Sequence, residues 1–173
     1  MSEPLTRLTL WFAALVLGIH IGAAVYEMMV VTPLWAGAPP QSVRGFNPVA
    51  EFAIRPLTYK LPAIAVLAFA SFALLSVAMG KATGRGWTLL AGGLGLVLVI
   101  ATVGYAFPIL RRTIVANGAG LTDAEIVQQV HAWIFWSRVR LTILIVAWTA
   151  VIVGLVQRTA RSQRRFSSDL RWK

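Results

Sequence analysis

The chain has 173 residues, of which 58% are hydrophobic and only 13% are charged. Soluble domains are about 45–50% apolar and about 25% charged, and a globule of this size cannot bury so much apolar surface in one core. The composition therefore excludes an ordinary soluble domain and an intrinsically disordered chain. Because the chain contains no cysteine, disulfides, iron–sulfur clusters and cysteine nucleophiles are excluded as well.

The formal net charge is +10, which in a soluble protein would suggest a nucleic-acid partner. Here the basic residues flank long apolar runs, and this arrangement is typical of a membrane protein. The basic tail at residues 157–173 is expected to act as a topology signal and to contact anionic lipid headgroups. Membrane lipids are thus predicted partners, and nucleic acid is not.

Four apolar stretches are long enough to cross a membrane, which takes about 20 residues per helix. The predicted helices cover about residues 8–34, 59–79, 87–110 and 122–156. The first run exceeds the apolar core of a signal peptide, so it is interpreted as a membrane span. The predicted fold class is all-α: a single domain that forms an integral membrane four-helix bundle.

The distribution of lysine and arginine predicts the orientation of the bundle. Apart from Arg138 and Arg140 within the fourth apolar run, nine such residues lie on the side that carries both termini and five lie on the other side. The positive-inside rule then places both termini in the cytoplasm. The expected location is a bacterial-type inner membrane, crossed four times.

The connection between the first two predicted helices, loop one, is long and rich in turn-forming residues. It covers about residues 35–58, and long structured loops are often lids over functional sites. Its glycines and prolines include Gly37, Pro39, Pro40, Gly45, Pro48 and Pro56.

The fourth predicted helix begins before the membrane. After a turn at residues 117–120, Thr122 and Glu125 have the spacing of a capping box, in which each side chain accepts the other residue's backbone N–H. A helix of residues 122–156 is about 50 Å long, whereas the hydrocarbon core is about 30 Å thick. Its first turns are therefore expected to extend beyond the outer face, beside loop one.

Ionisable side chains within apolar spans indicate a functional site, since each costs at least about 2.5–3.5 kcal/mol on insertion scales. His20 and Glu27 are seven residues apart and share a helix face, and Glu27 and Arg138 are expected at similar depth on antiparallel helices. The candidate catalytic residues are Glu27, Lys60, His131, Arg138 and Arg140. The candidate substrate-binding residues are His20, Tyr26, Tyr59, Tyr105, Trp133 and Trp136.

These candidates converge in the outer half of the bundle under loop one, and the sequence therefore predicts a pocket there for a hydrophobic small molecule. Each residue also has a structural interpretation: a buried ion pair, a snorkelling cation or an aromatic belt at the membrane surface. Two histidines could hold haem, or a metal together with Glu27. His20 and His131 are expected to differ in depth by roughly 15–20 Å, so neither a cofactor nor a metal site is predicted.

Three segments resemble the anthrone-oxygenase-like family of small four-helix membrane proteins. They are the helix Gly18–Glu27 with its continuation Val31–Trp35, the loop segment Phe46–Pro48 with Pro56, and the stretch Trp133–Arg140. Ser137 stands where the family pattern has asparagine, which puts a hydrogen-bonding role at that position in doubt.

The resemblance implies oxidation of a hydrophobic aromatic or quinone-like substrate by dioxygen, without a cofactor. Glu27 or His131 would act as the base, and Arg138, Arg140 or Lys60 would hold the enolate oxygen. The ring would lie among Tyr26, Tyr105, Trp133 and Trp136. A non-catalytic subunit of a larger membrane complex, or a homo-oligomer, stays open as the alternative. A transporter is disfavoured, because the inner half of the bundle lacks polar residues to line a path.

Overall fold

In a computed structural model, the backbone is described for residues 3–47, 56–80 and 84–169, and the side chains for 3–47, 60–80 and 84–160. Every regular element in these ranges is a helix, which confirms the all-α prediction. The first span is Glu3–Ala36 and the third is Arg85–Val115. The second helix is Pro56–Met79 and the fourth is Asp123–Asp169. A short helix, Gln41–Gly45, lies in loop one.

All four helices are long and apolar enough to cross a membrane, as the sequence predicted. Their ends differ from the predicted ones. The first span starts earlier, at Glu3, and the fourth helix continues to Asp169 through the segment that we expected to be a tail. The physical reason is local: residues 157–169 contain neither glycine nor proline, so nothing in this stretch breaks the helix.

The helices form an antiparallel ring, in which each one packs on the next along the chain and the fourth packs back on the first. We call the end that carries both termini the terminal end, and the opposite end, with loop one, the loop end. The core between the helices is apolar, with fully buried side chains such as Leu10, Leu17, Leu74, Leu98 and Leu144.

Glycines set the closest helix contacts. A Cβ added at Gly92 would lie 2.9 Å from Leu75 Cγ and 3.0 Å from the carbonyl oxygen of Ser71, so only glycine fits between the second and third spans. Its neighbour Gly93 has no atom within 4 Å of that position. The same is true of Gly22 on the first span, although Gly18 approaches Trp148.

We expect Gly92→Ala to destabilise the bundle by about 1–3 kcal/mol, because the added methyl group must displace a backbone carbonyl and a leucine. Gly93→Ala is the matched control and should be neutral or slightly stabilising, since alanine is the better helix former. Unfolding of both variants in the same mixed micelles measures the difference. Equal stabilities would show that the second and third spans are less closely packed than described.

Two helices widen near the loop end. Residues Glu27–Val31 and Thr102–Ala106 form π-helical segments, in which the N–H groups of Thr32 and Phe107 bond to carbonyls five residues back. Each segment directly precedes a Thr-Pro or Phe-Pro step, at Pro33 and Pro108. A proline ring collides with the carbonyl four residues back in an α-helix, and the wider turn relieves that collision.

The fourth helix begins as the sequence predicted. Glu125 Oε2 accepts the N–H of Thr122 at 2.7 Å, and Thr122 Oγ1 accepts the N–H of Glu125 at 3.3 Å, which completes the capping box. The preceding turn uses positive φ angles at Asn117, Gly118 and Gly120. These features fix the first turn of the helix beside loop one.

Candidate functional site

A cavity of about 460 Å³ lies in the loop-end half of the bundle, where the sequence analysis expected a pocket. This volume is within the usual range of small-molecule sites, and most of the lining is apolar. The first span contributes the face from His20 to Val31, which includes Ala23, Ala24 and Glu27, while Phe46 comes from loop one. The other spans contribute, among others, Lys60, Leu67, Thr102, Ala106, Trp133, Arg140 and Leu144.

Glu27 connects two cations at the polar end of this cavity. Its Oε1 atom accepts a hydrogen bond from Lys60 Nζ, and its Oε2 atom accepts one from Arg140 Nη2 at 2.8 Å. The three side chains are only 15%, 12% and 16% exposed, respectively. We call these residues the charge cluster. Glu27 offsets part of the desolvation cost of each cation, and the two cations offset part of the cost of burying Glu27.

Arg138, a candidate catalytic residue expected at the depth of Glu27, is exposed and does not line the cavity. The reason is helical register. Trp133, Arg140 and Leu144 lie at i, i+7 and i+11 and share the face that lines the cavity. Arg138 is two residues from Arg140 and so points about 200° away from it around the helix.

Arg140 has unused hydrogen-bonding capacity. Nη2 binds Glu27, but Nε is buried and has no hydrogen-bond partner. A guanidinium carries five N–H donors, so one carboxylate oxygen leaves most of them available. The Nε1–H group of Trp133, whose side chain is 2% exposed, also lacks a partner. The polar end of the cavity is therefore richer in donors than in acceptors at these two residues.

Trp133 is the aromatic wall of the charge cluster. Lys60 Nζ lies 5.1 Å from the centroid of its ring, a cation–π distance. The other side of the indole packs edge-to-face on Trp35, with ring centroids 6.1 Å apart. These contacts fix the ring where a planar ligand could pack against it.

His20 lies at the deeper end of the cavity. Its Nδ1 atom is 2.8 Å from the carbonyl oxygen of Val16, and its Nε2 atom is 3.0 Å from that of Ala63 on the second span. The imidazole thus joins the first and second spans and positions the face that continues to Glu27. It contributes shape and polarity to the site, and each of its ring nitrogens faces a backbone carbonyl oxygen.

The described part of loop one, residues 35–47, reaches the cavity through Phe46. Phe46 is 7% exposed and lines the cavity, while its carbonyl oxygen accepts a hydrogen bond from Asn117 Nδ2 at 2.7 Å. Arg44 pairs with Asp123 at 2.7 Å, which attaches the loop to the first turn of the fourth helix. The extended start of that helix therefore holds loop one in place.

Of the other predicted residues, Tyr26 lines the cavity, whereas His131, Tyr105 and Trp136 do not. His131 is exposed and does not line it. Tyr105 packs edge-to-face on Trp136 at 6.1 Å, outside the cavity lining. Tyr26 does line the cavity, although it is 55% exposed. The side chain of Tyr59 lies outside the described residues.

Sequence reasoning chose Tyr105 on the third span and missed the residues of that span that line the cavity. Thr102, Ala106, Phe107 and Leu110 line the cavity, and the first two lie in its π-helical segment. A signal was available, because Pro108 within an apolar helix predicts a local distortion. Leu67 and Leu144 were missed for a different reason: apolar residues on a membrane helix look alike in the sequence.

Within the described ranges, no group of three or more histidine, aspartate or glutamate residues comes close enough to hold a metal ion. No family model, curated protein or solved structure matches the chain. The geometry of the cavity and the resemblance noted in the sequence are thus the basis for any functional proposal.

Proposed function

We propose that this protein is a small membrane-embedded oxidoreductase that oxidises a hydrophobic aromatic or quinone-like substrate in the loop-end cavity. The observation that carries the proposal is the joining of a charge cluster to an apolar cavity within four apolar helices. An apolar aromatic ring would occupy the apolar part of the cavity, and its oxygen substituent would lie at the polar end, which is rich in hydrogen-bond donors.

The reaction proposed is oxygenation at an acidic carbon next to a carbonyl, as in the family that the sequence resembles. The substrate loses a proton from carbon, and the resulting carbanion is oxidised by dioxygen. A CH₂ group and O₂ become a carbonyl and water, so that one oxygen atom stays on carbon and the other leaves with both hydrogens. Dioxygen is the oxidant and accepts four electrons.

Two members of the charge cluster have separate roles in this proposal. Glu27 is the base that removes the proton from carbon. Arg140 donates through nitrogens that Glu27 does not use, and it stabilises the negative charge that develops on the substrate oxygen. Lys60 holds Glu27 in position, and Trp133 supports the ring.

The proposal includes a location. We place both termini in the cytoplasm of a bacterial-type inner membrane, which is supported by the excess of basic residues at the terminal end. The cavity is then in the outer leaflet, where an apolar substrate can enter from the lipid. A fusion of alkaline phosphatase to each loop tests this orientation.

The decisive test compares two arginines on the same helix. Arg140→Gln should lower the rate of substrate-dependent oxygen consumption by about 100-fold or more, the usual effect of removing a donor to a developing oxyanion. Arg138→Gln removes the same charge from the exposed face and should leave the rate within about twofold of wild type. Mass spectrometry and absorption spectroscopy of the purified protein identify the bound molecule to use as substrate.

The proposal fails if Arg140→Gln, folded as judged by its circular dichroism, consumes oxygen at the wild-type rate. A second candidate, a non-catalytic subunit of a membrane complex, is favoured by Gly22, Gly93 and Gly104, where an added Cβ would meet no atom of the described residues within 4 Å. In that case partner chains would co-purify in fixed stoichiometry, and the cavity would be empty of aromatic compounds.

A further inference from the structure

Arg158 lies at the terminal end, far along the fourth helix from the cavity. The residue is 5% exposed, yet its Nε and Nη2 atoms are buried without a hydrogen-bond partner among the residues that the structure describes. A buried guanidinium needs acceptors, because an unpaired charge is expensive to remove from water. The third nitrogen, Nη1, is not among these buried atoms, so an acceptor from outside the protein can approach from that side.

The surroundings of Arg158 belong to the first turns of two other helices. Glu3, at the start of the first span, attracts its guanidinium electrostatically. Gly154, one turn earlier on the same helix, lies against Trp87 and Thr88 at the start of the third span. Arg158 therefore lies where the first and third spans both begin.

Both helix starts favour an anion. The first N–H groups of a helix have no partner within it, and the helix dipole places partial positive charge there. Gly84 at the start of the third span provides no capping side chain. Glu3 is the acidic group in the first turn of the first span, and its carboxylate is shared with Arg7 at 3.4 Å.

We propose that the terminal end binds the phosphate group of an anionic phospholipid through Arg158. At the depth of Arg158, the apolar residues of the spans give way to polar ones, and lipid phosphates lie at this boundary. Exposed Leu5 and Leu8 on the first span and Trp87 on the third offer apolar surface for the acyl chains. The inference is independent of the chemistry proposed for the cavity.

Native mass spectrometry of the full chain in mild detergent tests this site. Phosphatidylglycerol and phosphatidylcholine with identical acyl chains are added in steps to wild type, Arg158→Gln and Arg85→Gln. Arg85 is exposed at the same end, so its variant controls for lost charge. We expect Arg158→Gln to weaken binding of the first phosphatidylglycerol by about tenfold, as charge-assisted bonds are lost. The Arg85 variant should change by less than about twofold.

A second variant keeps the test decisive if Arg158→Gln does not fold. Glu3→Gln removes the carboxylate that competes with phosphate, so it should tighten phosphatidylglycerol binding several-fold without altering Arg158. Unchanged binding in Glu3→Gln would contradict the proposal. So would equal losses in the Arg158 and Arg85 variants, or equal binding of the two lipids.

Inorganic phosphate at millimolar concentration tests whether the site prefers free phosphate or the phosphate group of a lipid. In the proposed site it competes weakly with phosphatidylglycerol, because it lacks acyl chains. If inorganic phosphate raises the melting temperature of the protein as much as the lipid does, the site is one for free phosphate and the lipid proposal is wrong.

Discussion

Glu27→Gln is expected to destabilise the folded protein by about 3–5 kcal/mol, the usual cost of removing one partner from a buried ion pair. The carboxylate contacts both Lys60 and Arg140, which are largely buried. Unfolding in mixed micelles at constant lipid content measures the loss. Asp123→Asn is the control, because Asp123 pairs with Arg44 at the exposed end and should cost less than about 1 kcal/mol.

A double variant separates charge from packing at this position. If the loss arises from unpaired charge, replacing Arg140 by methionine in the Glu27→Gln protein should recover part of the stability. A double variant that is less stable than either single variant would mean that shape, not charge, dominates. Equal costs for Glu27→Gln and Asp123→Asn would show that the charge cluster is not energetically coupled.

Trp133→Ala should also cost about 3–5 kcal/mol, since a buried indole is removed and its neighbours cannot fill the space. Trp133 is 2% exposed and contacts Trp35 and Lys60. Trp136→Ala is the matched control: Trp136 is 8% exposed and packs on Tyr105, outside the cavity. Thermal unfolding in detergent should show a large loss for both variants.

Ligand retention distinguishes the two tryptophans. The amount of co-purified aromatic molecule, measured by mass spectrometry, should fall in Trp133→Ala and stay near the wild-type level in Trp136→Ala. Retention by Trp133→Ala at the wild-type level would remove the indole from the proposed binding site. Equal losses in the two variants would mean that unfolding, not a lost contact, releases the ligand.

Much of the architecture follows from the sequence for simple physical reasons. A run of 20 or more apolar residues can cross a membrane only as a helix, so four such runs predict four spans. The capping box at Thr122 is local chemistry and fixes the start of the fourth helix. The depth of Glu27 and Lys60 could also be counted from the helix ends, and the cavity lies at that depth.

Which arginine pairs with Glu27 could not be predicted by counting residues from the helix ends. Arg138 and Arg140 differ by only about 3 Å in depth. They differ by about 200° around the helix, and that angle depends on how the fourth helix is rotated against its neighbours. Trp133 lines the cavity, which places Arg140, seven residues later, on the same face. The position of Phe46 likewise depends on contacts between loop one and Asn117 that are distant in sequence.

The π-helical segment at Glu27–Val31 makes the number of residues in the first span as important as their identity. The wider turn accommodates one residue more than an α-helical turn. If the same residues were wound as an uninterrupted α-helix, everything after the segment would be rotated by about 100°. Trp35, now fully buried against Trp133, would leave its place. A first span of the same length without this wide turn would therefore still cross the membrane, but the wall of the cavity would be lost.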